Sequence, residues 1–367
     1  MATDAAEVVV VGGGVMGLAT AWQLTRRGHR PLVLERFARG HREGASHGAT
    51  RNFNNAYAEE HYLDLLARAR DGWDALGEVE GAPLLRLHGL VTHGAVDLDG
   101  IRSRLLARGI PAELLSPRDA VRRWPGMRVD GDALWSSDAG VVRASAALAE
   151  FERRVDAAGG EVRWETPVTG MRESDGRVEI DLANGTRVHA GTVVVTVGAW
   201  SAGLLPGIGL PPLTVTEETP AHFLPRVPTA WPSFNHYVSP ERYPATVYGM
   251  PTPGEGVKVG FHLVGDVVDP DARPHRPTRQ RELAAYVREW MPGLDPEAAV
   301  PISCTYTSTA DGAFVLDRRG RIVVGAGFSG HGFKFATGVG ATLADLALDE
   351  SARAAAPFRL PASSASA

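Results

Sequence analysis

The chain opens on a β-branched run, Glu7 to Val11, that stops at Gly12-Gly13-Gly14-Val15-Met16-Gly17. A helical pattern follows from Leu18 to Arg27 and ends at Gly28; a short apolar strand, Pro31 to Leu34, then closes on Glu35. Strand, glycine turn, helix and strand in about 30 residues form the βαβ unit of a dinucleotide fold. Gly12 allows the tight turn, Gly14 lets backbone approach a pyrophosphate, and Gly17 lets helix pack on strand. The helix N-terminus then faces the phosphates, where its dipole favours negative charge. Glu35 is placed for ribose hydroxyls, and a carboxylate there argues against a 2′-phosphate. The motif alone does not separate FAD from NAD.

Composition removes several other classes. The 367 residues favour two domains, and 38 basic against 43 acidic residues give a formal charge of −5, no footprint for nucleic acid or anionic lipid. No apolar run reaches the roughly 18 residues of a membrane span, and Met1 to Glu7 lacks the features of a signal peptide. A single cysteine, Cys304, excludes an intrachain disulfide and a Cys-based zinc site, and no metal is expected. The expected setting is cytoplasmic and the expected state a monomer. Only two of the 38 basic residues are Lys, Lys258 and Lys334. A lysine retained against such an arginine bias points to a position that needs a compact ammonium with a movable pKa.

Further along, helices are expected over Glu60 to Leu76, Ile101 to Arg108, Ser116 to Arg123, Ala144 to Ala158 and Arg279 to Trp290. Ser116 reads as an N-cap with Pro117 at the first helical position. Strands are expected over Gly89 to Thr92, Glu161 to Trp164, Arg177 to Leu182, Arg187 to Val188 and Thr192 to Val197, with Asn184-Gly185 turning a hairpin. Between Pro211 and Pro301 prolines and aromatic strands predict an antiparallel second domain. The dinucleotide texture returns at Arg321 to Gly325, followed by a glycine-rich run and a helix from Thr337 to Asp349.

Four segments together resemble the flavin amine oxidases of the D-amino-acid-oxidase superfamily, in particular the monomeric sarcosine oxidase and N-methyltryptophan oxidase group. They are the N-terminal glycine motif; Ser46-His47-Gly48-Ala49-Thr50-Arg51; Arg123-Trp124-Pro125-Gly126 with Gly198-Ala199-Trp200; and Cys304-Thr305-Tyr306-Thr307 with the run Gly327 to Phe335. The resemblance runs from Val8 to about Leu348. It implies an α/β plus α+β fold: a discontinuous Rossmann-like FAD-binding domain (1–88, 141–212, 301–350) and an antiparallel-sheet substrate domain (89–140, 213–300); the Ala/Ser-rich composition from Ser351 on separately predicts a disordered tail (351–367).

The resemblance also implies roles. FAD, rather than NAD, is the cofactor, attached covalently through Cys304. Cofactor contacts fall to Gly12, Gly14, Val15, Met16, Gly17, Glu35, Arg36, Ser46, Thr50, Val168, Gly198, Trp200, Gly327, Gly330, Gly332, Phe333 and Lys334. Lys258 matches the oxygen-activating lysine, and His47 and Arg51 match residues beside the flavin ring. Lys334 matches the lysine on the substrate carboxylate; Tyr248 and His262 match pocket residues. The partners are a small amine and dioxygen.

One position departs from the pattern. Asn54 stands where the family carries a second arginine that clamps the substrate carboxylate, and Asn cannot supply a charge-assisted bidentate contact. The expected reaction is therefore oxidation of a secondary or N-methyl amine to an imine, with oxygen reduced to hydrogen peroxide, on a substrate other than sarcosine. The alternatives are a secondary amino-acid oxidase (sarcosine, pipecolate, proline) and a dehydrogenase using another acceptor.

Overall fold

The computed structural model describes residues 4–226 and 228–361. The β-branched run forms the strand Asp4–Val11, flanked in parallel by Leu32–Leu34 and Arg187–Val195. Glu161–Arg163 extends the parallel sheet on one side and Ile322–Ala326 on the other. Strands far apart in the chain thus lie side by side, with Val193, Val194 and Val195 fully buried between neighbours. Near-continuous apolar strands are what a parallel sheet covered on both faces requires.

The sequence suggested two short strands at Arg187 and Thr192; the structure has one, Arg187–Val195. It runs parallel to Asp4–Val11 along nearly its whole length; on its other side the first half pairs antiparallel with Arg177–Leu182 and the second half parallel with Ile322–Ala326. Alternation in the first half and a solid apolar run in the second reflect the two environments.

Helices Val15–Thr25 and Ala336–Leu348 cross this sheet in direct backbone contact, since a Cβ on Gly340 would sit 2.6 Å from the Ala19 carbonyl carbon. Glu60–Leu76 packs beside the second of these; its fully buried Trp73 donates Nε1–H to the Lys334 carbonyl at 2.7 Å. That bond ties the 3-10 turn Phe333–Phe335 to the core.

A second eight-stranded sheet has the order 300–301, 221–223, 256–261, 247–252, 233–237, 90–94, 133–136, 112–115. Its pairs are antiparallel except Ser233–Tyr237 with Leu90–Gly94. One face packs on helix Gln280–Trp290 through Phe234, Val247, Phe261, Tyr286 and Trp290. The other face, carrying Asn235, Tyr237, Tyr248, Met250 and Lys258, lines a cavity. Period-two alternation along each strand separates core from cavity.

The tail departs from expectation. Phe358 is 2% exposed within the main core, and the Leu360 amide donates to Asp317 Oδ2 at 2.9 Å, so the chain is packed through Pro361. Two apolar residues in an Ala/Ser-rich tail were enough to anchor it. Residues 362–367 lie outside the described residues.

Candidate active site

One cavity of about 1690 Å³ runs between the two sheets. It exceeds the roughly 300–1,000 Å³ of a site for one drug-sized ligand. Its first end is built from backbone. Gly12 has φ +103°, and a Cβ there would lie 2.6 Å from the Thr196 carbonyl oxygen; a Cβ on Gly17 would lie 1.8 Å from the Gly12 oxygen. Strand and helix meet at a distance only glycine permits. The helix Val15–Thr25 opens with no side-chain cap from Gly14, and its Val15 N–H donates to Ser46 Oγ at 3.0 Å. An under-capped helix start facing a cavity is a seat for phosphate.

Glu35 is 5% exposed and lines the same end. Its Oε2 accepts from the Gly13 amide at 2.6 Å and its Oε1 from the Phe37 amide at 2.9 Å. The carboxylate therefore braces the glycine turn, with lone pairs left over for a ligand. Arg36 and Trp200 both bond Asp271 Oδ1, at 2.8 and 2.9 Å, with the guanidinium 5.5 Å from the indole centroid. Val168 and Gly198 complete this end.

The second end is built from side chains. Arg51 donates to the carbonyls of Thr50 (2.9 Å), Ala45 (2.8 Å) and His47. Carbonyl partners orient the guanidinium and leave its charge uncancelled. Lys258 is 5% exposed, and burial, then repulsion from Arg51, lowers its pKa to about 7. Lys334, equally buried, donates to Tyr57 Oη and the His331 carbonyl, both at 2.8 Å; burial lowers its pKa to about 7. None of these three cations has an ion-pair partner among the described residues.

The histidines and tyrosines expected at this end are neutral. Burial, then Arg51, drives the His47 pKa down to about 3; burial, then Lys334, takes His262 to about 4. Burial raises the Tyr248 and Tyr306 hydroxyls above their ordinary range. Cys304 is a free, half-buried thiol on the strand Cys304–Ser308, its Sγ 3.9 Å from the Ala45 carbonyl. Gly330 and Gly332 pack under Tyr306 and Met16, where a Cβ would approach to 2.1 and 2.9 Å.

The structure brings most of the expected residues onto this one cavity wall: Gly12, Gly14, Val15, Met16, Glu35, Arg36, Ser46, His47, Arg51, Asn54, Val168, Gly198, Trp200, Tyr248, Lys258, His262, Cys304, Gly330, Gly332, Phe333 and Lys334. Three stand behind it. Gly17 is in the helix–strand contact; Thr50 Oγ1 bonds Thr252 Oγ1 at 2.8 Å, tying the short strand Thr50–Phe53 to the strand Val247–Thr252; Gly327 packs against Thr309. Asn54 lines the cavity, but its Oδ1 accepts from the Ala56 amide at 2.7 Å, so half of its amide is spent on a turn.

Tyr57, His331 and Asn235 also line the cavity and were not singled out from the sequence. Tyr57 and His331 are 3.1 Å apart through Oη and Nδ1 and together orient Lys334. His331 lies inside the glycine-rich run, which was a usable signal; Tyr57 and Asn235 had none.

A grip that excludes any Cβ, an under-capped helix start, an anchored carboxylate and an unpartnered buried His47 Nε2 beside uncancelled cations fit a dinucleotide carrying an electron-rich ring. Residues 7–346 match the family model described as FAD dependent oxidoreductase. The chain is 30% identical to the monomeric sarcosine oxidase of Bacillus sp. (strain B-0618), over 93% of this chain and 92% of that protein. It is 32% identical to the peroxisomal sarcosine oxidase of Homo sapiens, over 97% and 96%. Among solved structures it superposes on NikD, described as an unusual amino acid oxidase essential for nikkomycin biosynthesis, with a TM-score of 0.84, 28% identity and 95% of each chain covered. No helix among the described residues is long and apolar enough to cross a membrane.

Proposed function

The chain belongs to the family of FAD-dependent oxidoreductases acting on CH–NH groups, and on that premise we propose that it oxidises a secondary or N-methyl amine to an imine, with dioxygen reduced to hydrogen peroxide. The observation that carries this reading is the cluster of Arg51, Lys258 and Lys334 at one end of the cavity, three cations with no ion-pair partner among the described residues. Bound FAD supplies the two-electron acceptor for the C–N bond.

The protein's own part is electrostatic and geometric. Arg51, fixed by three carbonyls, holds positive potential where negative charge develops. Lys258 presents an ammonium that would stabilise the negative charge dioxygen gains as it is reduced. Neutral His47, His262 and Tyr248 shape the wall without competing for that charge. Cys304, the sole cysteine, is the tether for covalent attachment, and in Cys304→Ser acid precipitation should release the flavin into the supernatant instead of pelleting it with the protein.

The substrate reading rests on Asn54. Its oxygen is committed to the Ala56 amide, so it supplies no cationic clamp. Lys334 keeps one of its three N–H donors and favours the second reading, a secondary amino-acid oxidase. Anaerobic flavin bleaching separates the two. Sarcosine, pipecolate and proline should bleach the flavin slowly and the same amines without carboxylates quickly; the reverse order would establish Lys334 as a sufficient anchor. Failure of every amine to bleach the flavin would reject the oxidase reading. Peroxide yield distinguishes an oxidase from a dehydrogenase.

A further inference from the structure

The substrate side of the cavity holds a buried polar group that neither the dinucleotide grip nor the cationic cluster uses. Asn235 lies on the strand Ser233–Tyr237, is 5% exposed and lines the cavity. Its neighbours Phe234 and His236 face the opposite way: Phe234 joins the core and His236 Nδ1 lies 3.0 Å from the Tyr286 hydroxyl. The Asn235 side-chain nitrogen is buried and meets no hydrogen-bond partner among the described residues. Across the sheet its register partners are Tyr248 and Thr92, and the Thr92 hydroxyl is also buried without a partner. A buried amide left unpaired is costly, and a ligand that completes it recovers that cost.

The surroundings say what such a ligand group must be. The three adjacent strands Leu90–Gly94, Ser233–Tyr237 and Val247–Thr252 contain no Lys, Arg, Asp or Glu. Their two histidines are neutral, with burial lowering His93 to about 4 and His236 to about 3. The nearest charged residue on this face of the sheet, Lys258, lies one strand beyond Val247–Thr252, so a carboxylate or an ammonium set on these three strands would be desolvated with no counter-charge on them. A neutral group that both donates and accepts matches an amide.

Resting on the amine-oxidase reading above, we propose that Asn235 is the specificity residue of a distal subsite for a neutral hydrogen-bonding group of the substrate, of carboxamide or lactam type. The substrate is then a secondary amine whose reacting nitrogen lies near the flavin and whose amide-like end reaches Asn235. An apolar pocket discriminates weakly, but a site with a polar group awaiting a partner rejects analogues that lack one.

The test is calorimetric titration of the flavin-loaded enzyme with matched amines. Sarcosinamide is compared with N-methylisobutylamine, and N-methyl-β-alaninamide with N-methylisopentylamine, amines of the same shape with a branched alkyl end in place of the amide. At least one amide should bind roughly tenfold tighter than its isostere. Asn235→Leu and Asn235→Ala should bring that ratio close to one, with bound flavin absorbance showing that each variant is folded. Equal binding of both pairs by the unaltered enzyme overturns the proposal, as does a preference that survives both variants. Should neither variant hold flavin, the ratio in the unaltered enzyme decides. Flavin bleaching by the same amines tests the oxidase reading separately: preference without bleaching keeps the subsite and rejects the oxidase, and bleaching without preference does the opposite.

Discussion

The two ends of the cavity are made of different material. The dinucleotide end is backbone: Gly12 and Gly17 meet Thr196 and each other at distances that exclude any side chain, and Glu35 holds the turn by two amides. The reactive end is side chains brought from positions 51, 258, 304 and 334, each on a different strand or turn. A backbone site is local in sequence and intolerant of change. A side-chain site is dispersed, and single replacements there alter chemistry without dissolving the fold.

That contrast can be broken in three steps. The largest effect is expected at the backbone end. Gly17→Ala places a methyl 1.8 Å from the Gly12 oxygen, which requires helix and strand to part. Overpacking of this kind costs about 1–3 kcal/mol, and the variant should purify without yellow colour or with a sharply lower melting temperature. A yellow variant of unchanged stability would show that the grip is more compliant than its geometry.

A narrower effect, confined to one half-reaction, is expected at Lys258. Lys258→Met should slow reoxidation of the flavin by oxygen by roughly 10²–10³ and leave anaerobic reduction by amine nearly intact. Equal loss in both would place Lys258 on the substrate instead. The pH dependence follows from its lowered pKa of about 7. The ammonium is fully present below that value and is lost as pH rises through it, so reoxidation should slow with rising pH near 7, and Lys258→Met should keep only the part of the slope that Lys334, also lowered to about 7, contributes. His47, held near 3, stays neutral throughout and contributes no inflection.

The smallest effect is expected at Asn54. Asn54→Arg adds a cation to the carboxylate end and should speed anaerobic reduction by sarcosine roughly tenfold, the equivalent of one charged hydrogen bond. It also frees the Ala56 amide and should lower stability by about 1 kcal/mol, read from the shift in the denaturation midpoint. No gain with sarcosine would mean the pocket rejects it for shape.

Legibility followed the same division. The βαβ unit could be read because its signals lie within one short stretch, and the N-cap at Ser116 with Pro117 behind it is where the sequence put it. Lys258 and Lys334 stood out through the arginine bias alone. Thr50 was assigned to the cofactor because it sits in a recognisable loop, yet its hydroxyl turns to Thr252 on the strand Val247–Thr252. Asn54 was read as a missing charge; only the fold reveals that its oxygen holds a turn. Tyr57 and Asn235 carry no local mark, because their importance comes from what lies across a sheet or a cavity.

By itself the sequence determined the glycine-lined grip, the dinucleotide fold and the scarcity of lysine, since steric exclusion of Cβ and strand periodicity act between near neighbours. Only the tertiary structure decided that residues 51, 258 and 334 share one low-dielectric pocket, that burial lowers both lysines to about 7 there, and that the Asn235 side-chain nitrogen has no partner among the described residues. Burial and long-range charge depend on which distant segments close over a group, and no local pattern of residues encodes that.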